Sequence, residues 1–173
     1  MFFAEKQKMK VQQLGRIENL SDVSSTLLFF RITSVDELDK VRELLKNKKK
    51  PGKVLIAFVF FPEYENLDVI TDESVFFFNL NDFTLFAQMK ESLRAKVQEV
   101  STELLISFVQ SPDPICRPII SEINAGFKVG VYQSNTESLF DLTLKTDINK
   151  IGIEQFYEEA IGYLDVLNIR KKS

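Results

Sequence analysis

Five stretches of this chain are largely apolar at consecutive positions, and no other feature restricts the fold as much. They are Thr26-Leu-Leu-Phe-Phe-Arg-Ile-Thr33, Lys53-Val-Leu-Ile-Ala-Phe-Val-Phe-Phe61, Val75-Phe-Phe-Phe-Asn-Leu80, Glu103-Leu-Leu-Ile-Ser-Phe-Val109 and Phe127-Lys-Val-Gly-Val-Tyr132. Successive side chains of a strand point to opposite faces, so a run without alternation must be covered on both sides. The segments between the runs supply that cover. Ser34-Val-Asp-Glu37 reads as a capping box that satisfies the first amides of a helix reaching about Lys50, with Val35, Leu38, Val41, Leu44 and Leu45 at helical spacing. A long helix is expected from Asn81-Asp82, its inner face formed by Leu85, Phe86, Met89, Leu93, Val97 and Val100. A short helix follows Pro118 and ends at Asn124-Ala-Gly126, Leu139 to Leu144 is a further strand, and a last helix spans Gly152 to Leu167. Strands interleaved with such helices define an α/β class: three layers around a mostly parallel sheet. Residues 26–173 are expected to form a single domain, after a polar lead-in, residues 1–25, with Val11, Leu14, Ile17 and Leu20 spaced at three.

Composition removes several chemistries. The 173 residues include no histidine and one cysteine, Cys116. Histidine-dependent nucleophilic catalysis is therefore excluded, as are zinc and iron–sulfur sites, and no Asp-rich loop has calcium-type spacing. No cofactor is expected. A net charge of -3 argues against nucleic acid or acidic membranes as partners, and Lys46 to Lys53 reads as a solvated helix end stopped by Pro51-Gly52. The opening Met1-Phe-Phe-Ala-Glu-Lys6 lacks the order of a secretory leader, which with one unpaired thiol points to the cytoplasm.

Ligands of open parallel sheets bind beyond the carboxyl ends of the strands. The residues there are Thr33, Ser34, Asn79, Asn81, Asp82, Ser107, Gln110, Ser111, Asp113, Gln133, Ser134 and Asn135, a set of hydroxyls, amides and acids without an evident base. No glycine-rich phosphate loop follows any strand. The exit of the fourth run, with Ser107, Gln110, Ser111 and Asp113, is the ligand-binding candidate, because Pro112, Pro114 and Pro118 stiffen it. Cys116 reads as a packing residue. Sixteen Phe against four Tyr and no Trp suit a core, but Val75 to Phe78 on an edge strand would need a covering helix or a partner chain, which leaves a homo-oligomer open. Lys128 is expected near the start of its strand, its ammonium reaching water or a helix end.

From Val75 onward the chain resembles an uncharacterised family of domains of unknown function found mainly in Bacteroidetes. The residues that carry this are Phe76-Phe-Phe-Asn79, Leu104-Leu-Ile-Ser107, Ile119 to Asn124, Ala125-Gly-Phe-Lys-Val-Gly130, Phe140-Asp-Leu142 and Tyr163-Leu164. Ser107 stands where that family more often has Asp or Asn. The resemblance implies a Rossmann-like fold in a bacterial cytoplasm and brings no activity. Leu104 to Gly130 is also similar, more weakly, to the N-terminal half of bacterial heptosyltransferases, which implies at most an acceptor-side remnant. The expected function is binding without catalysis, of a small polar ligand or another protein. The alternative is a transferase-like enzyme, or a degenerate glycosyltransferase half, holding a sugar or small polar metabolite.

Overall fold

In the computed structural model, the described residues are 23–65, 73–134, 136 and 138–172. Most of the expected lead-in over residues 1–25, and residues 66–72 before the third strand, lie outside them. In chain order the elements are β1 (Ser25–Arg31), α1 (Val35–Lys48), β2 (Val54–Phe60), β3 (Val75–Phe78), a 3-10 turn (Leu80–Asp82), α2 (Glu91–Glu99), β4 (Ser101–Ser107), α3 (Cys116–Glu122), β5 (Asn124–Val131), β6 (Leu142–Leu144), α4 (Ile148–Ile151) and α5 (Ile153–Lys172).

The strands form a six-stranded sheet in the order β3-β2-β1-β4-β5-β6, and every neighbouring pair is parallel. Register puts Leu28 of β1 beside Ala57 of β2 and Ile106 of β4. The unbroken apolar runs divide between two faces, as double burial requires. On one, Leu28, Phe30, Val59 and Ile106 pack against Leu38, Val41 and Leu44 of α1 and Phe156, Ala160 and Leu164 of α5. On the other, Leu27, Phe29, Phe60 and Leu105 pack against Leu93 and Val97 of α2 and Ile119 and Ile120 of α3. Each such large side chain contributes about 1.5–3 kcal/mol by leaving water. Phe108, one residue past β4, stacks on Phe30 with ring centres 4.4 Å apart and meets Phe156 edge-on at 5.3 Å.

Besides α3, which starts at Cys116, and the last helix, which is preceded by α4 and runs on to Lys172, three boundaries differ from the sequence reading for a local reason. The long helix from Asn81 is replaced by the 3-10 turn, a tight hairpin bridged between Phe83 and Met89, and the nine-residue α2. Asn79 takes the capping role there: its Oδ1 accepts from the Asn81 amide at 2.8 Å, while Asp82 Oδ2 accepts from the Asn79 amide at 2.9 Å. Asn124 to Gly126 opens β5 instead of ending α3. A Cβ on Gly126 would lie 3.0 Å from the Glu103 carbonyl, so glycine there serves close strand approach. The sixth strand is shortened to Leu142–Leu144, because Phe140 turns inward against Gly130.

Candidate functional site

The strand order fixes where a crevice would lie. β1 and β4 are adjacent at the centre, and their chains leave for opposite faces, β1 to α1 and β4 towards α3. In open α/β sheets that divergence is the ligand position, with phosphate groups held by the first amides of the helix after β1.

Here one of those amides, that of Glu37, is already engaged, as is the Thr33 amide just ahead of the helix. Glu37 folds back so that its Oε2 accepts from the Thr33 amide at 2.5 Å and from Thr33 Oγ1 at 3.2 Å, while Ser34 Oγ accepts from the Glu37 amide at 3.2 Å. Ser34 caps the helix as expected, whereas Glu37 accepts from Thr33 and not from the Ser34 amide that a capping box would use, and its carboxylate brings negative charge beside the start of the helix. Beside it, Arg31 Nε lies 3.3 Å from Asp113 Oδ2 and bridges the exits of β1 and β4. The other oxygen of Asp113 accepts from the amides of Ile115 and Cys116 at 2.9 and 2.8 Å, so this carboxylate caps α3.

The remaining candidates are distributed along the same end of the sheet. Ser107 is fully buried, and its Oγ accepts weakly from the Val109 amide at 3.4 Å. Gln110 ties three segments together: its Nε2 donates to the Thr146 carbonyl, its Oε1 accepts from the Ile148 amide, and its own carbonyl accepts from Gln133 Nε2. Ser111 and Ser134 are exposed, and Asn135 lies outside the described residues. Ser107, Gln110, Ser111 and Asp113 thus share one strand exit, but of the four only Ser111 is exposed. Arg31 was not anticipated as a member of this group. The signal available was a lone cation at the end of an apolar run.

Burial, followed by the charge of Asp113, pushes the Cys116 thiol far above its usual range, with Arg31 acting in the opposite sense. The cysteine is a packing residue with little thiolate. Among the described residues no group of three Cys, Asp or Glu could hold a metal ion, and no helix is long and apolar enough to cross a membrane. A cleft of about 670 Å³ lies away from the crevice, at the amino ends of β1 and β2, and mixes Lys48 and Lys50 with Glu158 and Asp165.

The residues of the Ala-x-Phe-Lys-Val-Gly and Phe-Asp-Leu pattern meet at the β5–β6 junction. Lys128 Nζ donates to the Ile120 and Ser121 carbonyls at the end of α3, at 2.7 and 3.1 Å. Its amide donates to Asp141 Oδ2 at 2.8 Å, and its carbonyl accepts from the Asp141 amide at 2.8 Å. Burial lowers the Lys128 pKa, with Asp141 opposing. Lys128 sits mid-strand and not near the start of its strand, and its contacts make this pattern a joint that fastens α3 and the segment leading into β6 to β5.

Fold and site together define a three-layer α/β domain of the Rossmann kind with one of its own carboxylates beside the start of the first helix. No curated protein and no solved structure matched the chain. It belongs to a family of unknown function, DUF6913, whose model matches residues 2–167.

Proposed function

We propose that the chain works in the cytoplasm by binding, through an exposed surface and without transforming a substrate. The observation that carries this is the hairpin between Phe83 and Met89, which holds Leu85 and Phe86 at 102% and 86% exposure. The turn is pinned. Thr84 Oγ1 accepts from the Phe86 and Gln88 amides at 3.3 Å, the Thr84 amide donates to the Gln88 carbonyl at 2.8 Å, and the Ala87 amide donates to the Thr84 carbonyl at 3.0 Å. Ala87 accepts a φ of 57° to close it, a conformation that costs a non-glycine residue free energy. Apolar anchors held on a rigid turn lose little entropy on docking, which makes them efficient interface residues.

A small polar ligand at the β4 exit is the second reading, favoured by the exposed Ser111 hydroxyl in its proline-stiffened loop. A transferase would need a free carboxylate base. Asp82 and Asp113 both accept backbone amides, and they stand at strands separated by β2 and β1. Thermal shift with nucleotides, sugars and phosphorylated metabolites separates these readings. The binding-surface reading expects no change in midpoint. A saturating ligand should add roughly 2.7 kcal/mol at about a hundred times Kd. A shift of that size that disappears in Ser111→Ala with Asp113→Ala would replace the surface by the crevice.

A further inference from the structure

We infer that the surface is used by a second copy of this chain, in a two-fold dimer joined along β3. This rests on the reading above and names its partner. β3 is an edge strand of the sheet, and its amino and carboxyl ends carry complementary features. At the amino end lies a largely apolar cleft of about 430 Å³ lined by Ile56, Phe58, Phe76 and Val100, with Glu73 and Glu99 also in its walls. Past the carboxyl end stands the hairpin with Leu85 and Phe86.

Both features belong to the same face of the sheet. Phe83 and Met89 at the hairpin base join the cluster of Phe58, Phe78 and Leu93, against which Ile56, Phe76 and Val100 also pack. When two identical edge strands pair antiparallel, the two-fold axis is normal to the sheet, so faces are retained while strand directions reverse. The carboxyl end of each β3 then lies beside the amino end of the other, and each apolar tip meets the partner copy's cleft on the shared face. Both features carry both signs of charge, Lys90 and Glu91 at the hairpin base and Glu73, Lys96 and Glu99 in the cleft, so apolar area decides the pairing. One buried Phe covers about 150–250 Å². Two tips, two clefts and two short strands come to on the order of 1,000 Å² in total, the lower range of specific interfaces. The dimer is expected to be reversible and dependent on concentration.

Sedimentation velocity of the full chain from about 1 to about 300 μM spans the affinities such an area allows. The expected result is a monomer at the low end and a dimer at the high end. Leu85→Ser with Phe86→Ser should give a monomer throughout with an unchanged urea midpoint, because both side chains are solvated in the single chain. An equimolar mixture of Gln88→Cys and Glu99→Cys proteins should form an intermolecular disulfide between unlike copies under mild oxidation. A monomer at every concentration overturns the inference. A dimer that survives the Ser substitutions and yields no mixed disulfide overturns it as well, by showing another surface in use. Neither outcome touches the binding-surface reading, which falls only to a metabolite shift that Ser111→Ala with Asp113→Ala abolishes.

Discussion

Gly130 is the position where one methyl group should be felt most. A Cβ built there lies 2.4 Å from Phe140 Cε2 and Cζ and 2.6 Å from Cε1. Carbon atoms settle at about 3.5–4.0 Å, so the ring must retreat by roughly 1 Å or more. It has nowhere to go: Phe140 is 2% exposed and shares its cluster with Leu105, Ile119 and Ile120. Overpacking of this kind costs about 1–3 kcal/mol, and full expulsion of the ring would forfeit about 3–5 kcal/mol. Against this, alanine in a strand recovers about 0.5–1 kcal/mol relative to glycine. Gly130→Ala should therefore destabilise by about 2 kcal/mol, lowering the thermal midpoint by about 4–8 °C for a chain of this size. Urea unfolding measures the loss directly. A cycle with Phe140→Leu tests the cause, since the smaller side chain should make the double variant at least about 1 kcal/mol more stable than the sum of the single changes predicts. A Gly130→Ala protein within about 0.5 kcal/mol of the parent, or strict additivity in the cycle, would refute the steric argument.

Phe108→Ala should cost about 3–5 kcal/mol by urea unfolding, since the ring is buried between Phe30 and Phe156. Asp113→Ala should cost about 1–2 kcal/mol and Asp113→Asn clearly less, because the amide oxygen can still cap α3 and the exposed pair with Arg31 adds little. Lys128→Met should lose about 1–2 kcal/mol, leaving the Ile120 and Ser121 carbonyls without their donor, while any binding activity stays intact. Lys48 lies between Glu158 and Glu154, and hydrogen bonds to the two, Glu158 foremost, hold its pKa above the ordinary 10.5. A raised folded-state value means that its stabilisation is complete below 10.5 and is lost as pH climbs through the folded value. Urea midpoints at about pH 9 and about pH 11 should accordingly fall less in Lys48→Met than in the parent.

The two-faced burial of the sheet was readable because double cover leaves its mark on every residue of a run, as in Leu27 to Phe30 and Leu104 to Ile106. The Ser34 cap on the Glu37 amide was readable for the same local reason, since four neighbouring residues contain it, whereas the turn of Glu37 back to Thr33 was not. The hairpin was not. Phe86, Met89, Leu93 and Val97 recur at helical intervals, yet only the last three are buried, and nothing local distinguishes a turn pinned by Thr84 from the first turns of a helix. Gly126 misled because a glycine after a helix usually ends it, whereas here its missing Cβ admits the Glu103 carbonyl from β4. The β4 exit was located as a group, but its wiring was hidden: the partners of Gln110 at Thr146 and Ile148 are distant in sequence. Strand order has the same origin, because pairing of β1 with β4 depends on contacts that no window of the sequence contains.

That central pairing has a consequence for how the protein is made. Ser25 Oγ accepts from the Glu103 amide across 78 positions, and Leu27 and Leu28 lie in register with Leu105 and Ile106. A ribosome adds about 5–20 residues per second, so β1 spends on the order of 4 to 16 s with β2 as its available neighbour and its other side awaiting synthesis. That side presents Leu27 to Phe30, an apolar segment with unpaired amides, to the crowded space around the nascent chain. Rare codons between Pro62 and Ser101 would lengthen the interval, and a holding chaperone would be needed most for a half-synthesised chain whose first strand already exists and whose fourth does not.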